Sequence, residues 1–531
     1  MLTLPFELRT AVFSLLSQED LLKCAIISKE LLPAARSLIY RTVHLKSDNQ
    51  NLASIAKILE SNNHDLAARV RHAKLTTVKP LDVSRKSGKS SKQSQGQLPT
   101  KWLDAKLLSS FVALRSLTLV GSPFADEEEQ EDFVKAVTKS MIHLENFTYT
   151  PGRTQFPNPH LNLENLKRVY ISLYSGESSD ILIDWNPEIY MCNTERDLEP
   201  QMISLLTASS RTLESLEIKY DGSLKIDEIK IKDTTYWKPM LSLHFPRLRR
   251  LVMEELDPYA YHPPLSIPRN LTYDFVSRHP RLQELILGTV RGHYNYPLRP
   301  LLSDDFRYQH RLDPSFLASL QYLDCSASDI RVMINMNVQS ITNSLKLLIV
   351  RDGSDLPEGA CLPNLETLHL LGWAEYTETA PRLRSHRKMK ALLNACPALK
   401  NFESRMMAII MPKEFAKMYA DNKNIEVIDI SQQLIFNRPG DYVGRRPMSI
   451  TQLTQNRFLE DHGGLEAFFA PLAAQCPHMR RVIVRGSDQH LMYILRRKHQ
   501  NFKEHIERPS DESPLESVQV STLTYNGYPE D

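Results

Sequence analysis

Three cysteines sit at equivalent places in the chain, each just ahead of a proline: Cys361 in "CLPNL", Cys396 in "ACPAL" and Cys476 in "QCPHM". The last, Cys476-Pro477-His478, sets a thiol two residues from an imidazole, the pairing in which a base makes a thiolate nucleophile. Three cysteines at one position of a recurring lead-in read more simply as small groups buried where a helix meets a strand. "SGKS" at 87–90 invites a phosphate-loop reading, but that fingerprint needs a glycine where Val83 stands, and a strand running into a helix. A second constellation is cationic: Lys219, Arg351, Arg405 and Arg485 each directly follow a six-residue apolar motif. A guanidinium there can hold a phosphate or carboxylate by paired hydrogen bonds. Glu217, Asp324, Glu403 and Asp429 fall on the same strand face, so ordinary charge pairing competes with that role. With no H-E-x-x-H, no G-x-G-x-x-G after a strand and no G-x-S-x-G, the expectation is a chain without catalytic residues, metal ligands or cofactor.

The totals agree with a binding role. Lys+Arg number 65 against 63 Asp+Glu, a net charge of +2, which leaves no global footprint for nucleic acid or an anionic membrane. The tract "LRRKHQNFK" at 495–503 carries one aromatic, too little for a nucleic-acid surface, and reads as a solvated helix. Six cysteines lie far apart with no C-x-x-C pair, which predicts reduced thiols rather than a disulfide framework or zinc knuckle. Charged residues interrupt the N-terminal apolar stretch, so it is no secretory signal, and no run is long enough to span a bilayer. The expected location is cytoplasmic or nuclear.

What must position these groups is a repeat. The pattern L-x-x-L-x-L recurs as "LRSLTL" at Leu114, "LENFTY" at Leu144, "LKRVYI" at Leu166, "LESLEI" at Leu213, "LRRLVM" at Leu248 and "LQELIL" at Leu282. It continues as "LQYLDC" at Leu320, "LKLLIV" at Leu345, "LETLHL" at Leu365, "LKNFES" at Leu399, "IEVIDI" at Ile425 and "MRRVIV" at Met479, with a weaker copy, "VRHAKL", at Val70. The last two apolar residues alternate along a strand into a shared core, and the proline lead-in stops a preceding helix. Each copy therefore reads as helix, proline turn and short parallel strand. Stacked copies predict an α/β leucine-rich-repeat solenoid over 46–487, strands on its concave face and helices on its convex face. The array is irregular, with starts about 20 to 54 residues apart and the usual Asn or Cys missing from most copies. HEAT or armadillo repeats, being all-helical, would lack these β-rich hexamers.

Between the copies, "DVSRKSGKSSKQSQGQLPT" at 82–100 is polar and basic and is expected to be a disordered loop. Pro- and Tyr-containing loops are expected at 256–270, 288–314 and 437–450. "ADEEEQED" at 125–132 precedes Phe133, Val134, Val137 and Met141 at helical spacing, which puts its carboxylates at a helix N-terminus. Residues 488–531 lack the repeat and form a C-terminal segment ending in a polar tail.

The N-terminus is different. After Pro5, Leu8, Val12, Leu15 and Leu16 mark one face of a short helix; Ser17 with Asp20 suggests a capping box for a second, bearing Leu21, Leu22, Ala25 and Ile26. Pro33 opens a third, carrying Leu38, Ile39 and Tyr40. Three short helices make a core too small to stand alone, so part of their surface must meet another body. The series Leu4-Pro5-x-Glu7-Leu8, Val12, Leu16, Asp20-Leu21-Leu22, Ile27-Ser28-Lys29 and Leu38-x-Tyr40-Arg41 resembles the F-box at the N-terminus of fungal F-box proteins, with Tyr40 where many members carry tryptophan. The resemblance covers residues 1–45. It implies a three-helix module docking on the Skp-type adaptor of an SCF ubiquitin ligase, and through it a cullin, with Leu4, Pro5, Leu8, Val12, Leu16, Leu21 and Leu22 at the matching apolar positions. The repeats would then hold a target protein of unknown identity. The alternative is a leucine-rich-repeat interaction scaffold unrelated to ubiquitin, its N-terminal helices serving only as a cap.

Overall fold

The structure, a computed structural model, describes residues 5–46, 66–76, 109–120, 127–150, 163–173, 198–221, 238–257, 269–291, 315–350, 360–370, 390–404, 417, 419, 421–431, 464–485, 489–497 and 515–524. Residues Met1–Leu256 and Asp257–Asp531 form two compact units.

The first unit opens with helices α1 (Phe6–Phe13), α2 (Gln18–Ile27) and α3 (Leu32–Ile39). Pro5 stands just ahead of α1, where its missing N–H is no loss. The Ser17 hydroxyl accepts from the Asp20 N–H at 3.2 Å, capping α2, and donates to the Asp20 carboxylate at 2.7 Å. That hydrogen bond, with Lys23 beside it, holds the Asp20 carboxyl below its usual range. Ser28, the cap at the far end, is extended, and Pro33 enters the first turn of α3. Phe13, Leu21, Ala34 and Ala35 form the buried centre of this module, with Val12, Leu16, Cys24, Ala25, Leu31, Leu38 and Ile39 packed partly around it.

The third helix stops at Ile39, sooner than the sequence reading has it, and the chain passes directly into strand β1 (Thr42–Lys46), with Val43 and Leu45 buried. β1 pairs in parallel with β2 (His72–Thr76), the weak "VRHAKL" copy. "YRTVHL" is thus a further hexamer, concealed because it overlaps the end of the helical module. β3 (Ser116–Val120), β4 (Asn146–Thr150), β5 (Arg168–Leu173), β6 (Ser215–Asp221) and β7 (Arg250–Asp257) follow in chain order, each parallel to the last. Along these strands the two later apolar residues of the motif point inward, as in the buried Leu117 and Leu119 or Leu216 and Ile218, with Tyr149 of β4 half-covered. Helices α4 (Glu127–Ser140), opened by the acidic run, α5 (Leu198–Ala208) and α6 (Lys238–Ser242) precede β4, β6 and β7.

The second unit continues the pattern with β8 (Glu284–Arg291), β9 (Tyr322–Cys325), β10 (Leu347–Val350), β11 (Thr367–Leu370), β12 (Asn401–Ser404), β13 (Val427–Ser431) and β14 (Arg481–Arg485), parallel and in order. α7 (Arg269–Ser277) and α10 (Gly464–Gln475) run into proline lead-ins as expected, while α8 (Ala327–Asn335) and α9 (Gln339–Asn343) fill the turn between β9 and β10. Both units are parallel-stranded α/β solenoids with the leucine-type residues inward.

Past 488 the motif predicts no strand, yet β15 (Gln489–Arg497) and β16 (Leu515–Thr524) add to β14 as antiparallel neighbours. The reading of 495–503 as a solvated helix is corrected for its first part: Leu495 is buried within β15. A hairpin needs no helical crossover, so the leucine spacing that marks the other strands is not required here.

Candidate protein-interaction surfaces

The helical module leaves apolar side chains in solvent. Leu8 is 53% exposed and Leu22 47%, whereas Leu21 is buried and Val12 and Leu16 are half-covered by the module's own centre. Pro5 is exposed, and Leu4 lies outside the described residues. The six described positions of the seven singled out in sequence therefore divide into surface groups and core groups. More exposed still are Leu15 at 85%, Ile26 at 85% and Ile27 at 77%, with Phe6 also exposed, none of which the sequence reading placed on a docking surface. Ile26 was within reach: it stands four residues after Leu22 on α2, hence on the same face of the helix. An exposed large apolar side chain is unremarkable singly, but six on three short helices are an excess of the kind that contact surfaces carry.

The strand faces opposite the leucines carry the charges. In the first unit Lys219 Nζ lies 3.3 Å from Glu254 and 3.5 Å from Glu217, and 5.7 Å from the centre of the Tyr170 ring. Arg250 closes the group on Glu217 at 2.7 Å. Burial works against the Lys219 charge, yet Glu254, Tyr170 and Glu217 outweigh it and hold the ammonium above its ordinary pKa. Lys219 is thus committed to neighbouring carboxylates. In the second unit His369 Nδ1 meets Glu403 at 3.1 Å, and the buried Asp324 lies in the same register row, separated from His369 by Ile349. Arg351 and Arg405 lie outside the described residues, and Arg485 ends β14.

A further order lies at the second position of each hexamer, where the backbone N–H bonds the carbonyl of the equivalent residue one strand earlier: Glu145 to Arg115 at 2.9 Å, Lys167 to Glu145 at 2.7 Å, Lys400 to Glu366 at 2.8 Å. The charges alternate along this row: Arg115, Glu145, Lys167, Glu214, Arg249 in the first unit and Lys346, Glu366, Lys400, Glu426, Arg480 in the second. Lys167–Glu145 at 3.0 Å and Lys400–Glu366 at 2.8 Å are formed ion pairs. Each lysine's hydrogen bond holds its glutamate below the usual range. The sign sequence is fully readable in the hexamers, but it means nothing until the strands are known to be stacked in that register.

The cysteine reading divides. Cys396 and Cys476 are buried; desolvation pushes the Cys396 thiol up to about 12, and Cys476 Sγ donates to the Tyr419 carbonyl at 3.5 Å. Cys361 is exposed, which corrects the expectation that all three occupy one buried site: its lead-in has an extra residue, so Leu362 takes the inward place instead. His478 is exposed. The missing leucine-rich-repeat asparagine is also partly supplied: Asn422 Nδ2 donates to the Leu393 and Cys396 carbonyls at 2.7 and 3.0 Å, Asn364 Nδ2 to the Thr342 carbonyl, and the Thr212 and Ser344 hydroxyls to the Leu166 and Leu320 carbonyls that open the preceding hexamers. These residues sit in the turn, outside the hexamer, where periodicity does not look.

Among the described residues no His, Cys, Asp and Glu are grouped to hold a metal ion, and no helix is long and apolar enough to cross a membrane. No family model matches the chain, and no curated protein matches it. Among solved structures it is similar to a chain of the Rad7 and Elc1 complex in yeast, 14% identical, over 77% of this chain and 92% of that one, at a TM-score of 0.33, a likeness that carries no argument about function.

Proposed function

We propose that the chain is the substrate-recognition subunit of an SCF-type ubiquitin ligase, docking a Skp-type adaptor through α1–α3 and a target protein through the repeat strands. The observation that carries the reading is the helical module's exposed set, Leu8, Leu15, Leu22, Ile26 and Ile27, at and beside the positions matching the F-box pattern. No bond chemistry takes place on this chain. Its contribution is to hold the target close to a ubiquitin-conjugating enzyme that a cullin brings to the adaptor, so that an encounter between separate molecules becomes one within a complex.

Calorimetric titration of the full-length chain with a purified Skp-type adaptor tests this. Tight binding is expected, with Leu8→Asp or Ile26→Asp weakening it by about thirtyfold or more while thermal unfolding stays unchanged, because both side chains are already in water. Absence of binding by the wild-type chain would return the protein to the alternative, a repeat scaffold with a helical cap.

A further inference from the structure

The alternating row breaks at its start. Arg41, Arg71 and Arg115 occupy its first three places, linked by backbone bonds of 2.8 Å from Arg71 N to Arg41 O and from Arg115 N to Arg71 O, so three guanidinium side chains leave neighbouring strands about 4.8 Å apart. Like charges in directly opposed positions destabilise a sheet, and at every later charged step within a unit the chain avoids them. The outward positions of β1 and β2 add to the excess: His44 stands opposite Lys74, Lys46 opposite Thr76, and Thr42 opposite His72. Residues 41–46, 66–76 and 109–120 together hold six Lys and Arg and two His, with no Asp or Glu. Glu145, the first carboxylate of the row, is bonded to Lys167 at 3.0 Å.

We propose that the outward face of β1–β3 binds an anionic peptide segment of a partner protein, its charge supplied by carboxylates or by a phosphorylated side chain. Lys46 and Lys74 on that face, with Arg41 and Arg115 at its edge one residue ahead of β1 and β3, supply the cations; Thr42, Ser116 and Thr118 add hydroxyl donors, and Thr76 Oγ1 is paired with His44 Nε2 at 2.9 Å. Burial first, then Lys46 and Lys74 for His44 and Arg41, Arg115 and Arg71 for His72, lowers the pKa of both imidazoles; an arriving anion favours their protonation. The face is about 10 Å across, the width of one extended peptide, and its outward strand positions carry no Phe, Tyr or Trp on which a base could stack. A net charge of +2 on the whole chain likewise argues for a local anion rather than a nucleic acid. The proposal is independent of the adaptor reading, since a scaffold would use the face equally well.

Fluorescence anisotropy with the full-length chain tests it, using labelled short peptides that are glutamate-rich, phosphoserine-bearing or neutral, and single-stranded DNA as competitor. Either anionic peptide binds and the neutral one does not, and which of the two binds identifies the source of charge. The double variant Lys46→Glu/Lys74→Glu loses about tenfold or more in affinity, with unchanged thermal unfolding, while Lys135→Glu on α4 leaves it intact. Equal binding of the neutral peptide, no binding of any peptide, full affinity in the double variant, or displacement of both peptides by DNA at lower concentration would each overturn the proposal.

Discussion

His44 and His72 show how a single side chain reports its surroundings. Both pKa values are depressed by burial and by nearby cations, so the unfolded chain binds more protons than the fold as pH falls through about 6.5. The stability these neutral imidazoles contribute is therefore present above that pH and declines below it. His44→Gln and His72→Gln should flatten the stability profile below about pH 6.5, and NMR titration of the two imidazoles should give midpoints under the ordinary histidine value. A bound anionic peptide should move both midpoints upward. The cysteines differ in the same way: mass-spectrometric mapping after brief iodoacetamide treatment should find Cys361 alkylated and Cys396 and Cys476 protected until the protein unfolds.

Single elements are held by groups the hexamer does not contain. α8 begins with a complete capping box, in which Ser326 Oγ accepts from Asp329 N at 3.1 Å and the Asp329 carboxylate accepts from Ser326 N at 3.3 Å. Ser326→Ala should cost about 1 kcal/mol in urea unfolding, whereas Asn422→Ala, which strands two buried carbonyls in a lead-in turn, should cost about 2 kcal/mol. In the helical module the same contrast separates core from surface. Phe13→Ala should cost about 3 kcal/mol through the cavity it leaves, and Leu22→Asp almost nothing, although Leu22 has the stronger claim to a partner. Sequence alone reads Leu21 and Leu22 as equivalent neighbours; one residue of helical rotation, about 100°, places the first in the core and the second in water.

Across the whole chain, two features concern how a stack of repeats ends and how it keeps its order. β15 and β16 cover the edge of β14 that a parallel solenoid would otherwise leave open. A chain ending before Gln489 should melt earlier and aggregate, a change seen by light scattering during a thermal ramp. The alternating charges favour one neighbour for each strand. Glu366→Lys should lower the melting temperature at low salt and much less at high salt, and adding Lys400→Glu should restore part of the loss.

The hexamers by themselves determined that the chain is a stack of parallel strands, because the alternation of buried and outward residues is a local property of each strand. Through their proline lead-ins they also marked where α6, α7 and α10 give way to a strand, whereas α4 and α5 end without a proline. Only the tertiary structure decided which apolar residues of α1–α3 are covered, that "YRTVHL" is a strand rather than the end of a helix, and that β15 and β16 close the sheet. It alone decided that Arg41, Arg71 and Arg115 stand side by side, though 30 and 44 residues separate them along the chain. Exposure and adjacency depend on contacts between segments distant in sequence, and no pattern within one segment encodes them.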